Sequence, residues 1–274
     1  MSQYYFICKE GITVLTNYHT HCQRCKHAEG SVKDYVMQAI RDGFDILGMS
    51  DHLPYPNYDY GYRMDFAELW DYIYDVREAQ EEFGDKLRLL LGFECEYMRE
   101  YRRYYEELLT DYGAEYLVLG QHFYDIDGHW QSVHGIDNTT ECLAYARSIR
   151  EGLETGWYSL LAHPDFVGLN CLPWDRNMDE MTDMIIDSAV KNDVPLEINA
   201  NGVRRGIVRD SEGEHYGYPH FRFWEKVAGS GAKVVISADC HNPALLNDSD
   251  VQKCRDIAKN WGLDVIEELK VKKQ

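Results

Sequence analysis

The sequence predicts an α/β barrel of seven strand–helix units, with a metal-binding mouth at the C-terminal ends of the strands. Three observations lead there. Seven short apolar runs alternate with longer segments of helical spacing. The runs are almost continuously hydrophobic, as strands of a parallel sheet buried on both faces must be. Six of the seven also end in His, Asp or Glu (His19, His52, Glu94, His122, His163 and Asp239), while the seventh ends in Asn199 and Asn201. An open doubly wound sheet collects its ligand residues mainly at one switch point, whereas a barrel brings every strand end to one mouth. The spread of polar ends over the runs therefore favours closure.

Taken in order, the predicted strands are 12–19 (ITVLTNYH), 45–52 (DILGMSDH), 87–94 (LRLLLGFE), 116–122 (YLVLGQH), 158–165 (YSLLAHPD), 194–201 (VPLEINAN) and 233–241 (KVVISADCH). The predicted helices occupy about 31–42, 65–83, 100–112, 139–155, 178–192, 221–230 and 249–260. Ser31, Asp65, Thr139, Asp179 and Ser249 stand where helix starts are expected. Gly43, Gly84, Gly113, Gly156 and Gly262 stand near helix ends, where a left-handed residue is often required. The acidic–aromatic stretch 54–62 (PYPNYDYGY) reads as a loop over the mouth, and 201–220 as a second. No linker, low-complexity segment or internal repeat interrupts the 274 residues, which read as a single barrel domain, 1–274.

Composition narrows the function. Lys+Arg 28 against Asp+Glu 47 gives a formal charge of −19. Such a chain is poorly suited to bind nucleic-acid backbones, because like charges repel. An anionic substrate would have to be attracted locally, and bound divalent metals are the obvious means. No basic segment followed by a long apolar stretch opens the sequence, and no run of about 18 apolar residues occurs, so neither a signal peptide nor a membrane span is expected. The eight cysteines are scattered, which suits free thiols in a reducing cytoplasm. Cys22 and Cys25 form a CxxC, but no second pair is suitably spaced for a four-thiolate site, and both read as incidental.

The chemistry is carried by histidines. In His19-Thr20-His21 alternate residues of an extended segment point the same way, so two imidazoles can reach one ion. Of the 11 histidines, His19, His21, His27, His52, His122, His163 and His241 all fall at or just after a predicted strand end. With Glu94 and Asp239 they form a set of nine candidate ligands, a mixture of imidazole and carboxylate that suits Zn, Mn or Fe. Nine is too many for one tetrahedral ion and suits about two to three, a carboxylate and a hydroxide bridging a pair. Asp51 and Asp165 flank proposed ligands and are read as hydrogen-bond partners of their imidazoles. His129, His134, His215 and His220 are read as surface residues.

The ordered pattern HTH…H…SDH…GFE…GQH…AHPD…SADCH, from about residue 17 to 241, resembles the PHP (polymerase and histidinol phosphatase) family. The stretches YRMDFAELWDYI and LEINANGVRRG, with the later Tyr218-Pro219, are similar to its monofunctional histidinol-phosphatase branch. The resemblance implies a distorted (β/α)7, TIM-like barrel holding three ions. His19, His21, Glu94 and Asp239 would hold the first. Glu94 would bridge to a second, completed by His122 and His163, and His27, His52 and His241 would hold a third.

The expected activity is hydrolysis of a small-molecule phosphomonoester, preferentially L-histidinol phosphate, by a hydroxide held between two ions and attacking phosphorus in line. Glu94 and Asp239 are then catalytic through the metals, and Arg204 is expected both to assist catalysis and to bind phosphate. Arg63 is a second candidate for the substrate, and Arg205 and Arg209 compete with Arg204. Asp51, Asp59, Asp65 and Glu96 are candidate partners of the substrate ammonium group. Two neighbouring readings are a phosphotyrosine-protein phosphatase and a phosphodiesterase or nuclease, the latter disfavoured by the charge. An amidohydrolase would need a bridging Lys or Glu on a later strand and eight strands. A metal-binding module without activity should lack ligands, and all nine are present.

Overall fold

A computed structural model describes residues 14–271. Cys8 and the first two residues of the predicted 12–19 strand lie outside this range. The elements follow the predicted alternation. β1 (Thr16–Asn17) leads to α1 (Val32–Asp42), β2 (Ile46–Met49), α2 (Leu69–Phe83), β3 (Arg88–Cys95), α3 (Arg102–Thr110) and β4 (Tyr116–Leu119). A hairpin of β5 (Phe123–Ile126) and β6 (His129–Ser132) precedes α4 (Thr139–Leu153), β7 (Leu160–Leu161), α5 (Arg176–Asn192) and β8 (Leu196–Asn199). The short α6 (Ala200–Arg204) and a second hairpin, β9 (Ile207–Asp210) and β10 (Gly213–Tyr216), lead to α7 (Phe221–Val227), β11 (Lys233–Ser237), α8 (Ser249–Trp261) and β12 (Asp264–Val265).

One eight-stranded sheet in the order β1-β2-β3-β4-β7-β8-β11-β12, parallel throughout, carries the fold. It curls into a distorted TIM-like barrel. At the mouth the ends meet: Thr20 bridges Cys240 in parallel, and the His21 amide donates to the Cys240 carbonyl at 3.2 Å. At the other end β12, absent from the sequence prediction, extends the sheet beyond β11. The chain beyond it passes under β1, where Thr16 Oγ1 donates to the Glu267 carbonyl (2.8 Å) and the Leu269 amide to Tyr18 Oη (3.2 Å). Leu269 joins Tyr18, Ile46, Leu90 and Tyr116 in a small apolar cluster. Tyr116 reaches the Tyr18 carbonyl across the interior, and a Cβ at Gly48 or Gly92 would strike its ring.

Helix starts show where side-chain competition decided the register. Ser31 caps α1 in a reciprocal box with Asp34, and Asp65 does the same for the 3₁₀ turn Phe66–Glu68 that opens α2. The other three starts differ from expectation. Asn138 rather than Thr139 caps α4, Asp248 rather than Ser249 caps α8, and Asp175 starts α5 earlier than Asp179 would. In each case an Asn or Asp lies just upstream and its carbonyl or carboxylate oxygen captures free amides of the first turn. Gly43 and Gly262 take the left-handed conformation, whereas Gly84 stays right-handed at φ −64. Most strands stop short of their predicted ends, at two of which the backbone turns sharply, His163 and Asp239 sitting at φ 29 and 43, whereas β3 runs one residue past Glu94 to Cys95. The predicted strand 194–201 ends at Asn199, whose side chain accepts from the Gly202 amide and starts α6 instead.

Candidate metal centre and substrate cavity

All nine predicted ligands are carried by strand ends or the loops that follow, and they meet in one place. Glu94, at the end of β3 and 1% exposed, is the hub. Its Oε1 faces Nε2 of His163 (2.9 Å), His19 (3.4 Å) and His122 (3.6 Å). Its Oε2 faces His52 Nδ1 (2.9 Å) and His21 Nε2 (3.6 Å). The two oxygens thus address different sets of rings, as a bridging carboxylate does. Asp239 Oδ1 lies 3.2 Å from His21 Nε2 and 3.6 Å from His19 Nε2. The His21 and His241 rings stack with centroids 4.2 Å apart, and His27 lies 4.5 Å from His241 and 5.2 Å from His52. Gly120 makes room for the hub, because a Cβ there would collide with the Glu94 carboxylate.

A buried polar atom without a partner costs free energy, so a cluster of them points to a missing one. His19 Nε2, His21 Nε2, His163 Nδ1, His241 Nε2 and Glu94 Oε2 are all buried without a hydrogen bond. Triples of donor atoms within 4.8 Å of one another include His19–His21–Glu94, His19–His163–Asp239 and His21–His52–His241. The donor set therefore fits divalent ions; the first triple falls within one of the three sites that the resemblance implies, whereas His19–His163–Asp239 and His21–His52–His241 cross their boundaries.

The rings are aimed from behind by carboxylates. Glu197 accepts from His19 Nδ1 at 2.9 Å, Asp51 lies 3.4 Å from His21 Nδ1, and Glu96 holds His122 Nδ1 at 3.0 Å. His27 Nδ1 donates to the Cys25 carbonyl at 2.9 Å, which leaves its Nε2 free. Such partners fix the tautomer that presents the other nitrogen to an ion. Burial lowers His52 to about 4 and keeps its ring neutral, as a ligand must be. Burial also works to lower His19, but Glu197, Asp239 and Glu94 outweigh it and hold the ring well above its usual value. A proton there competes with a cation, so metal binding should release it.

Above the ligands opens a cavity of about 720 Å³. Tyr60, Gly61 and Tyr62 line it from the predicted acidic–aromatic loop, and Asn201, Arg204, Arg205 and Tyr218 from the predicted second loop. The β5–β6 hairpin supplies Phe123 and Ser132, with His134 just beyond. This wall was not predicted, because the hairpin's strands are short and polar. His134 is exposed, as the sequence predicts, and also lines the cavity, its ring edge-on to Phe166 at 5.1 Å.

The arginines separate by what they already hold. Arg204 lines the cavity, but its Nε and Nη2 donate to Asp248, its Nη1 to the Ala238 carbonyl and its Nη2 also to the Leu245 carbonyl. Arg63, also at the wall, is 5% exposed and fastened to Glu96, the Leu53 carbonyl and the Gly61 carbonyl. Arg205 donates through Nε to Tyr218 Oη at 3.1 Å and is exposed at the cavity. Arg209 pairs with Glu214 on the β9–β10 hairpin. Among the described residues the carboxylates lining the cavity are Glu94 and Asp239. Asp51, Asp59, Asp65 and Glu96 do not line it, and Glu96 is occupied by Arg63 and His122.

Three further expectations are corrected. Asp165 supports no imidazole: it accepts from the His220 amide (2.6 Å) and Trp224 Nε1 (3.0 Å), tying the β7 loop to α7. His215 and His220 are buried rather than on the surface, His215 against Asp210 and His220 stacked on Trp174. Glu197, absent from the predicted set, is fully buried beneath two ligand residues, receiving His19 Nδ1 and the His163 amide. Its signal was present: a lone glutamate inside the apolar run VPLEINA must have a buried partner.

Comparisons with known proteins bear on the family and the fold. The chain is 28% identical over 257 residues to a "Probable histidinol-phosphatase" of Schizosaccharomyces pombe, covering 82% of this chain and 80% of the relative. It is 26% identical over 243 residues to a protein of the same description from Deinococcus radiodurans, covering 85% and 88%. The crystal structure of histidinol phosphate phosphatase from Lactococcus lactis, complexed with zinc, L-histidinol and phosphate, superposes with a TM-score of 0.66 at 16% identity, covering 94% of this chain and 99% of the other, and shows the same fold. The PHP domain family model matches residues 17–201, more than half of the chain and seven of the nine ligand positions, and the chain belongs to the PHP domain family.

Proposed function

We propose that the protein is a metal-dependent phosphomonoesterase that hydrolyses L-histidinol phosphate to L-histidinol and phosphate. The observation that carries this reading is the convergence of five imidazoles on Glu94, with Asp239, His27 and His241 packed beside them, at the floor of a cavity that also presents a guanidinium, Arg205. The relatives named above are described as histidinol-phosphatases, and one structural neighbour contains zinc, histidinol and phosphate. About two to three divalent ions, when bound, would supply water activated at neutral pH and positive charge for the phosphoryl oxygens.

The chain's own residues do the rest. His19, His21, Glu94, His122, His163 and Asp239 would hold one pair of ions, and His27, His52 and His241 a third. Glu197, Asp51 and Glu96 keep the ligand rings in their tautomers. Asp239, turned at φ 43, is positioned by Asn199 and Asn201, which donate to its Oδ2 at 2.9 and 3.3 Å. Arg205 is the cation free to meet the phosphate, and Arg204 anchors α8 through Asp248. Tyr60, Tyr62 and Phe123 form an aromatic wall suited to the substrate imidazole. No helix among the described residues is long and apolar enough to cross a membrane. The described cysteines are free thiols, which supports placing the enzyme in the cytoplasm.

The test is a turnover screen with manganese or zinc, comparing histidinol phosphate, phosphotyrosine and a phosphodiester. Histidinol phosphate should give the highest kcat/KM, by about tenfold or more (roughly 1.4 kcal/mol of transition-state discrimination). Glu94→Ala should fall to background with its fold intact. A preference for phosphotyrosine or the diester would overturn the substrate, and turnover by the Glu94 variant would overturn the centre.

A further inference from the structure

Imidazoles and carboxylates account for the nine ligands but leave the CxxC of the first loop without a role. Cys22 caps the 3₁₀ turn Gln23–Cys25, and its Sγ donates to Asp51 Oδ2 at 3.0 Å, so it braces the carboxylate behind His21. Cys25 is placed differently. It is completely buried, and Lys26 after it is left-handed at φ 70, which turns the chain back so that His27 returns to the same place. Its Sγ lies in a mutual 4.8 Å triple with a ring nitrogen of His27 and one of His241. His21, Cys25 and Asp51 form another such triple. His241 Nε2 is buried with no hydrogen bond, and His27 keeps Nε2 free because Nδ1 is held by the Cys25 carbonyl.

We propose that Cys25 is a further metal ligand, joining His27 and His241 at the outer ion position, and that its sulfur makes that position selective for a thiophilic ion such as zinc. The proposal rests on the reading of the cluster as a metal centre. A tetrahedral zinc with Zn–S about 2.3 Å and Zn–N about 2.0 Å places S and N roughly 3.5 Å apart. The triple therefore needs to contract by little more than about 1 Å. Coordination replaces the S–H bond by a sulfur–metal bond, and the thiol proton leaves to solvent. A soft donor at one position and imidazole–carboxylate donors at the others would let a single cluster hold two kinds of ion, since thiolate favours zinc whereas carboxylate-rich sites also suit manganese.

Cobalt(II) reports thiolate coordination directly, through a near-ultraviolet charge-transfer band. The full chain should be loaded with cobalt, its metal content measured, and its spectrum compared with those of Cys25→Ser and, as control, the exposed Cys171→Ser. The band is expected in the wild type and in Cys171→Ser and is expected to vanish in Cys25→Ser. Cobalt bound without the band, or a band that survives in Cys25→Ser, would overturn the proposal and leave the function untouched. Protein that binds no cobalt, zinc or manganese would overturn both. Should Cys25→Ser not fold, X-ray absorption at the zinc edge of the wild type decides: a sulfur shell near about 2.3 Å supports the proposal, and nitrogen and oxygen alone refute it.

Discussion

At the scale of single residues, the centre depends on one side chain being absent. Gly120 follows β4, and the Glu94 carboxylate occupies the space where its Cβ would be. Gly120→Ala should push Glu94 off the rings it bridges. A displacement of about 1 Å costs on the order of a hundredfold in rate, so kcat should fall by at least that factor and bound metal should drop with it. Steady-state kinetics with elemental analysis checks this, and unchanged values would show that Glu94 has slack. Arg205 tests the other side of the cavity. A charge-assisted hydrogen bond is worth about 1.5–3 kcal/mol, so Arg205→Ala should raise KM for the phosphoester by roughly ten- to a hundredfold, with a smaller change in kcat. Arg204→Ala should instead lower the melting temperature, since its guanidinium joins α6 to α8. The reverse pattern would return the phosphate to Arg204. The candidate ligands were legible in the sequence because a histidine at the end of an apolar run has few other reasons to be there. The arginines were not separable, because Arg204 and Arg205 differ only in which neighbours they meet in space.

At the scale of elements, the segment from β9 to α7 carries a pH dependence of its own. His220 caps α7 by accepting the Arg222 amide at Nδ1, and its ring stacks on Trp174 and Phe221. Burial, with help from neighbouring His215, lowers its pKa to about 4 from 6.5. The folded value lies below the unfolded one, so the unfolded chain binds the proton first and stability falls as pH drops from about 6.5 toward 4. Between pH 7 and pH 5 this single group should cost about 2 kcal/mol. His220→Asn keeps a capping oxygen and removes the titration, so its loss of stability over that interval should be smaller than the wild type's by about that amount. Denaturant midpoints at the two pH values measure it, and equal losses would refute it. Helices were legible because their apolar spacing and caps are local. The two hairpins were not, because their strands are short, polar and held by the mouth they border.

At the scale of the whole molecule, the nine candidate ligands come from six of the strand ends and the loops that follow, so ions bound there would tie the barrel together. A ligand that binds only the folded state at about a thousand times its Kd contributes roughly 4 kcal/mol. Removing metal with a chelator should therefore lower the melting temperature by several degrees, and manganese or zinc should restore it. A melting curve indifferent to chelation would mean that the cluster is held rigid by its carboxylates alone. Barrel closure is equally distributed: the Thr20–Cys240 bridge joins the ends at the mouth, while β12 and Leu269 fill the opposite end.

The sequence by itself determined the alternation of strands and helices, the crowding of histidines at strand ends and hence the metal chemistry. Each of these is written in local spacing, and hydrophobic periodicity and capping act within a few residues. Only the tertiary structure decided which carboxylate stands behind which ring, that Glu197 supports the floor of the centre, that Arg204 is held by Asp248 and two carbonyls while Arg205 meets Tyr218, and that Cys25 approaches His27 and His241. Those outcomes follow from where side chains from separate strands end up, and no spacing along the chain encodes that distance.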